Sequence, residues 1–344
     1  MANTSNTNMS SEIPAVDRSK VNTELVEALF LAHWKRPFEF DLTESEEILF
    51  IACISGDFPK IQELLTNKSY LATAVERKAR PFGGMKSMEN SNLLPMLYMA
   101  IRAGSAPITK LVLGTAEKHN VPYKDIIMHY TVFAAIDCGN LDVLKELGST
   151  FPKCLNYGED RVGYPLTQTV GRSRHDRNHG PLWDEQKEID YVKVLLENGA
   201  NPNGPGIWKV EPGSHLTTAA KFSPPEVTRI LIQHGAQVRQ SGAIQAAVAA
   251  NRVEVLEVLL EHGAHVNEQL ESPMTYISVR DPEKRQHHLS VTPLHLAVQA
   301  KAHEAAAWLL KNGADKSIKD SRNQSAADLA ALSDDAKMVE IFKS

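Results

Sequence analysis

The chain has 344 residues, 42% of them apolar, and its 37 basic and 42 acidic side chains give a formal charge of −5. That length allows two domains or one elongated array, and the mild acidity argues against broad affinity for a phosphate backbone. No window approaches the roughly 18 uninterrupted apolar residues of a membrane span, and the start MANTSNTNMSSE lacks the basic and apolar regions of a signal peptide, so a cytoplasmic or nuclear protein, or one found in both, is expected.

Residues 1–20 are rich in Asn, Ser and Thr, the composition of a disordered tail, and residues 21–45 carry a leading helix, at 22–36, that would cap the first repeat. Within 46–160 three segments share one pattern: EEILFIACISGDFPKIQELL (46–65), MLYMAIRAGSAPITKLVL (96–113) and VFAAIDCGNLDVLKEL (132–147). Each has small and apolar residues, then a turn glycine (Gly56, Gly104, Gly139), then an apolar stripe at helical spacing, which predicts a pair of helices. Met96 and Met99 sit at that spacing and read as core. KARPFGGMK (78–86) sets Gly83 and Gly84 beside lysines but lacks the Lys-Ser or Lys-Thr ending and the helix of a phosphate loop.

From 161 to 320 the repetition is plain, because LLENGANPN (195–203), LIQHGAQVR (231–239), LLEHGAHVN (259–267) and LLKNGADKS (309–317) align without gaps. An acidic residue lies nine before each glycine. Asp190, Glu226, Glu254 and Glu304 are therefore expected to open helices that Gly199, Gly235, Gly263 and Gly313 stop. In VTPLHLA (291–297) Thr292 suits the N-cap, and Pro293 the first position, of a shorter preceding helix. Trp308 reads as core. Residues 321–344, with QSAADLAALSDDAKMVEIF at 324–342, read as a terminal capping repeat whose polar outer face comes from Asp334, Asp335, Lys337 and Lys343. The anchor glycines are 36, 28 and 50 residues apart, and the longest interval places an insertion at 268–288 that holds SPMTYISVRDPEKRQHH (272–288), while a second insertion at 171–188 splits the first clear copy between YPLTQTV (164–170) and IDYVKVLL (189–196). NGPGIWKVEPGSH (203–215) is a further irregular loop.

The run TPLHLA followed by WLLKNGAD (308–315) resembles the ankyrin repeat, a helix-turn-helix unit of about 33 residues. GAIQAAVAANRVEVLEVLLEHGAHVN (242–267) has Gly-Ala-Ile-Gln in place of Thr-Pro-Leu-His, a variant similar to ankyrin proteins of filamentous fungi. The resemblance implies an all-α solenoid of about seven to eight repeats over residues 45–342, with elaborated loops. It also implies a non-catalytic scaffold or adaptor holding a partner protein in a concave groove. Because some fungal relatives regulate transcription, a coregulator without its own DNA-binding region is a narrower form of that reading. The positions just before each helix-to-helix turn would face the partner: Arg102, Asp137, Arg172, Lys221 beside an exposed-looking Phe222, and Gln299, with His288 and Leu289 extending the face. His295 would hydrogen-bond neighbouring turns and tie one repeat to the next.

A second reading belongs to another class: a metabolite-binding protein or enzyme whose site is formed by the groove and the inserted loops. Its candidates are His175, Asp176, His179, Trp183 and Trp208, with Arg172. His175 and His179 would share one side of a helix, but Gly171, Gly180 and Pro181 make that segment a loop, and no third ligand is fixed, so no metal or other cofactor is expected. Arg172, Arg174 and Arg177 could clamp an oxyanion, although Asp176, Asp184 and Glu185 stand ready to pair with them. Cys53, Cys138 and Cys154 have no CxxC spacing and read as small core residues. No GxSxG elbow marks a nucleophile. A protein partner is expected, nucleic acid and membrane are not, and a small-molecule ligand goes with the second reading only.

Overall fold

A computed structural model describes residues 42–82, 85–158, 163–173, 183–204, 214–270 and 291–343. Its repeating unit is a short inner helix, a tight turn and a longer outer helix, and the sequence shows why. Inner helices such as α14 (Pro293–Gln299) start at a cap and carry apolar residues that are buried along nearly their whole length. Outer helices such as α15 (His303–Lys311) bury only one stripe, here Ala305, Ala306 and Leu309, and leave the other side to solvent. The outer helices of the four gap-free segments stop at Gly199, Gly235, Gly263 and Gly313, all left-handed at φ 95°, 90°, 91° and 86°. In that region a Cβ would be strained, so the four glycines act as stops.

The chain divides into two compact units, Met1–Glu146 and Leu147–Ser344. In the described part of the first, α1 (Glu44–Ile54) and α2 (Phe58–Thr66) form one helix pair, and α4 (Leu93–Arg102) and α5 (Ala106–Lys118) another. They are followed by α6 (His129–Asp137) and by α7 (Leu141–Thr150), inside which the boundary falls. Inner helices α1, α4 and α6 pack in sequence. Between the first two pairs, α3 (Lys68–Val75) leads into an antiparallel hairpin of β1 (Arg77–Phe82) and β2 (Met85–Ser91), in register Arg77 to Ser91 and Lys78 to Asn90. The segment rejected as a phosphate loop is this hairpin, an element that the all-helical expectation lacked.

The second unit holds α8 (Pro165–Thr169) with α9 (Glu185–Glu197), α10 (Ser214–Phe222) with α11 (Pro225–Gln233), and α12 (Ala243–Ala249) with α13 (Val253–Glu261). Then come α14 with α15, and α16 (Ala326–Ala331) with α17 (Ala336–Lys343). Inner helices α10, α12, α14 and α16 stack in one layer, and outer helices α9, α11, α13, α15 and α17 in another. Asparagines tie the outer layer together. Asn156, Asn203 and Asn267 each donate through Nδ2 to the carbonyl of the next stop glycine, Gly199, Gly235 and Gly313, at 2.9, 2.7 and 3.4 Å. Their Oδ1 atoms accept the N–H of Asn201, Gln237 and Asp315, each at 2.8 Å.

Several expectations need correction. Asp190 does not open its helix: α9 starts five residues earlier at Glu185, because the Asp184 side chain caps it by accepting the Lys187 N–H at 2.8 Å. Glu226, Glu254 and Glu304 do lie in first turns. Trp308 is half-buried on an outer helix rather than core, and Cys138 is half-buried while Cys53 and Cys154 are fully buried. Met96 and Met99 are buried as expected. The tail at 1–20 and the helix at 22–36 lie outside the described residues.

Candidate functional site

The 171–188 insertion has a built base. α8 ends two residues before Gly171, whose φ of 86° turns the chain, and Arg172 follows on that turn rather than on the helix. Glu188, on the first turns of α9, is completely buried. Its Oε1 accepts the Gly171 N–H and its Oε2 the Ser173 N–H, both at 2.8 Å, while Ser223 Oγ lies 3.0 Å from the same Gly171 nitrogen. One carboxylate therefore clasps the two ends of the turn. The Trp183 N–H donates to the Arg172 carbonyl at 3.2 Å, closing the far side.

Trp183 itself is a platform. It is 7% exposed and tilted against Tyr191 at 4.7 Å between centroids, with the Arg172 guanidinium 4.4 Å and the Lys187 ammonium 4.8 Å from its centroid. The structure thus makes Trp183 a support for Arg172 rather than a side chain open to a ligand, and leaves Arg172 half-buried. Glu188 was missed from the sequence. Its only signal there was an acidic residue in a first helical turn, where a glutamate is ordinary.

Farther along the second unit, the ends of the inner helices form a lip. Lys221, Ala249, Gln299 and Ala300 are exposed, and Phe222 and Ala250 are half-buried. Phe222 differs from the exposed ring expected: its Cβ lies 3.4 Å from where a Cβ on Gly171 would stand, and Lys221 Nζ sits 5.0 Å from its ring centroid. Four residues before each exposed position, a buried side chain bonds to a main-chain carbonyl that follows its own repeat. Thr217 Oγ1 donates to Ser241 O at 2.7 Å and Gln245 Nε2 to Glu268 O at 3.1 Å, while His295 Nε2 lies 3.1 Å from Gln324 O. His295 has its expected structural role. Because its Nδ1 faces the Thr292 N–H at 3.1 Å and Gln324 O can only accept, the ring is the Nε2–H tautomer. Below Lys221 and Phe222, the buried Arg252 donates to Ala219 O and Ala220 O at 3.3 Å each, satisfying the last carbonyls of α10.

In the first unit Arg102 and Asp137 are exposed at the ends of α4 and α6. One turn before them lies an aromatic cluster that sequence reasoning passed over: Tyr98 meets Tyr130 edge-on at 6.1 Å, and His129 meets Phe133 at 5.8 Å. Glu46, 1% exposed, pins the hairpin by accepting from Lys78 Nζ at 2.9 Å and Asn92 Nδ2 at 3.2 Å. Burial pushes the Glu46 carboxyl up, but the Thr43 N–H and the Lys78 ammonium outweigh it and hold it below the usual carboxylate range.

His175, Asp176, His179, Trp208, His288 and Leu289, with Arg174 and Arg177, lie outside the described residues. Among the described residues no three His, Cys, Asp or Glu side chains gather as a metal would need, and no helix is long and apolar enough to cross a membrane.

Residues 185–269 match a family model described as ankyrin repeats (3 copies), and residues 284–330 match one described as ankyrin repeats (many copies). No curated protein matches the chain. Among solved structures, the ankyrin repeat domain of Bcl-3, described as a unique member of the IkappaB protein family, is similar with a TM-score of 0.54 and 17% identity. That similarity covers 72% of this chain and 97% of the Bcl-3 chain. At such an identity the likeness is one of fold.

Proposed function

This chain is an ankyrin-repeat protein, and from that premise we propose that it is a non-catalytic scaffold that holds a partner protein along the ends of its inner helices. The observation that carries the reading is the lip of the second unit. Its helices are fixed from below by Thr217, Gln245 and His295, yet Lys221, Ala249 and Gln299, one turn on, are exposed. Rigid backbone under exposed side chains is what a binding surface needs, since little order is lost on association. Arg172, braced on Trp183, flanks the lip and supplies a guanidinium anchor. In the first unit Arg102 and Asp137 serve the same purpose on their own face, beside the aromatic cluster. Regulation of transcription through a DNA-binding partner is the narrower role we assign to that scaffold.

The test is affinity capture with the tagged full-length chain from its native extract, comparing wild type with Lys221→Glu and Gln299→Glu. These positions are exposed, so the variants report on the surface, whereas Arg172 and Phe222 are packed and their replacement would also disturb the fold. A stoichiometric protein released at least tenfold by either variant is expected. A partner held equally by all three proteins, or a retained small molecule without a partner, overturns the reading.

A further inference from the structure

The helix pair α16–α17 presents Asp334 and Lys337 to solvent. Yet Leu332, at the end of α16, is 74% exposed, the one large apolar side chain so placed among the described residues. Its register explains where it points in the pattern. Counting from the N-caps, Leu332 stands seven residues after Ser325, as Gln299 stands seven after Thr292 and Ala249 seven after Gly242. Lys221, four after the Thr217 tie as Ala249 is four after Gln245, completes the row.

Lys221, Ala249, Gln299 and Leu332 therefore form one row across four stacked inner helices. On a chain of net charge −5 the row contains no carboxylate. It begins with a cation beside the Phe222 ring, continues over the small Ala249 and the uncharged Gln299, and ends on an apolar side chain.

We infer that this row takes an extended acidic segment of a partner protein, with a carboxylate at Lys221 and an apolar side chain against Leu332. The inference rests on the scaffold reading above and specifies its ligand. Three steps between neighbouring helices, at about 8–10 Å each, separate the two anchors by about 24–30 Å. An extended chain covers that distance in about seven to nine residues, at roughly 3.3 Å each. The charge complementarity also makes binding weaken with added salt, because Lys221 is exposed and its attraction for a carboxylate is screened.

The experiment is selection from a random 16-residue peptide library displayed on phage, using the intact chain as bait. The affinities of the enriched peptides are then measured by fluorescence anisotropy against wild type, Lys221→Glu, Leu332→Asp and the outer-helix control Glu257→Lys. The expected result is enrichment of Asp or Glu separated by about seven to nine residues from a Leu, Ile, Phe or Met. At least tenfold weaker binding to each row variant, unchanged binding to the control and weaker binding at higher salt are also expected. Circular dichroism and the thermal midpoint establish that the exposed-site variants are folded. Enriched peptides without that pattern, the absence of any enriched peptide, or affinities indifferent to both row variants overturn the inference. If Lys221→Glu still releases a captured protein in that case, the scaffold reading stands and only the ligand assignment falls.

Discussion

Glu188 shows how much one buried side chain can decide. Its two oxygens accept from the Gly171 and Ser173 amides, so removing them takes that acceptor from the half-buried Ser173 N–H and leaves the Gly171 N–H with Ser223 Oγ alone. Glu188→Ala is expected to cost about 3 kcal/mol in urea unfolding. Glu188→Gln keeps one acceptor but turns an amide N–H2 toward the other donor, and is expected to cost about half as much. Equal stability of all three proteins would mean that the clasp is not formed. The three tie residues carry a related lesson. Thr217, Gln245 and His295 differ in chemistry but each presents a donor at one position, and what the fold requires there is a donor to a carbonyl.

Between elements, the asparagine bridges depend on a register that can be read directly. In the gap-free alignment Asn203 and Asn267 correspond to Arg239 and Ser317, so the series is interrupted at Arg239. Asn267→Ala removes the bonds to Gly313 O and from the Asp315 N–H and is expected to lower stability by about 1 kcal/mol. Arg239→Asn is expected to raise it by up to about 1 kcal/mol by completing the series. Urea midpoints moving in the same direction for both would refute this account. The hairpin is held differently, through charge. Because the folded Glu46 carboxyl lies below its unfolded value near 4.3, its contribution is present above that value and is lost as pH falls through the lowered folded value. Below about pH 4, therefore, wild type should lose stability more steeply than Glu46→Gln, which lacks the carboxylate that Lys78 Nζ meets at 2.9 Å. Parallel curves from pH 7 to 3 would show that Glu46 carries none of the acid sensitivity.

At the scale of the molecule, stacking repeats within each unit buries the apolar stripe of each outer helix and nearly all of each inner helix, and leaves the ends of the inner helices exposed. The sequence by itself determined the architecture of the repeats. Gly56, Gly104 and Gly139, the four stop glycines, and the TPLHLA cap each have one local conformation that they serve, so the helix pairs and their order were legible without coordinates. Local signals also misled where a neighbour could override them: Asp190 has the spacing of a helix start, but Asp184 caps the chain first. Tertiary structure alone decided which polar residues are consumed and which are presented. Trp183 and Glu188 are buried by contact with residues 11 to 17 positions away, Phe222 is half-covered beside Gly171, and Leu332 is left in solvent in line with Lys221. A helix's own pattern reports which of its faces is apolar. Whether a given end is covered depends on the length of the next loop and the side chain that returns from it, and no local periodicity encodes that.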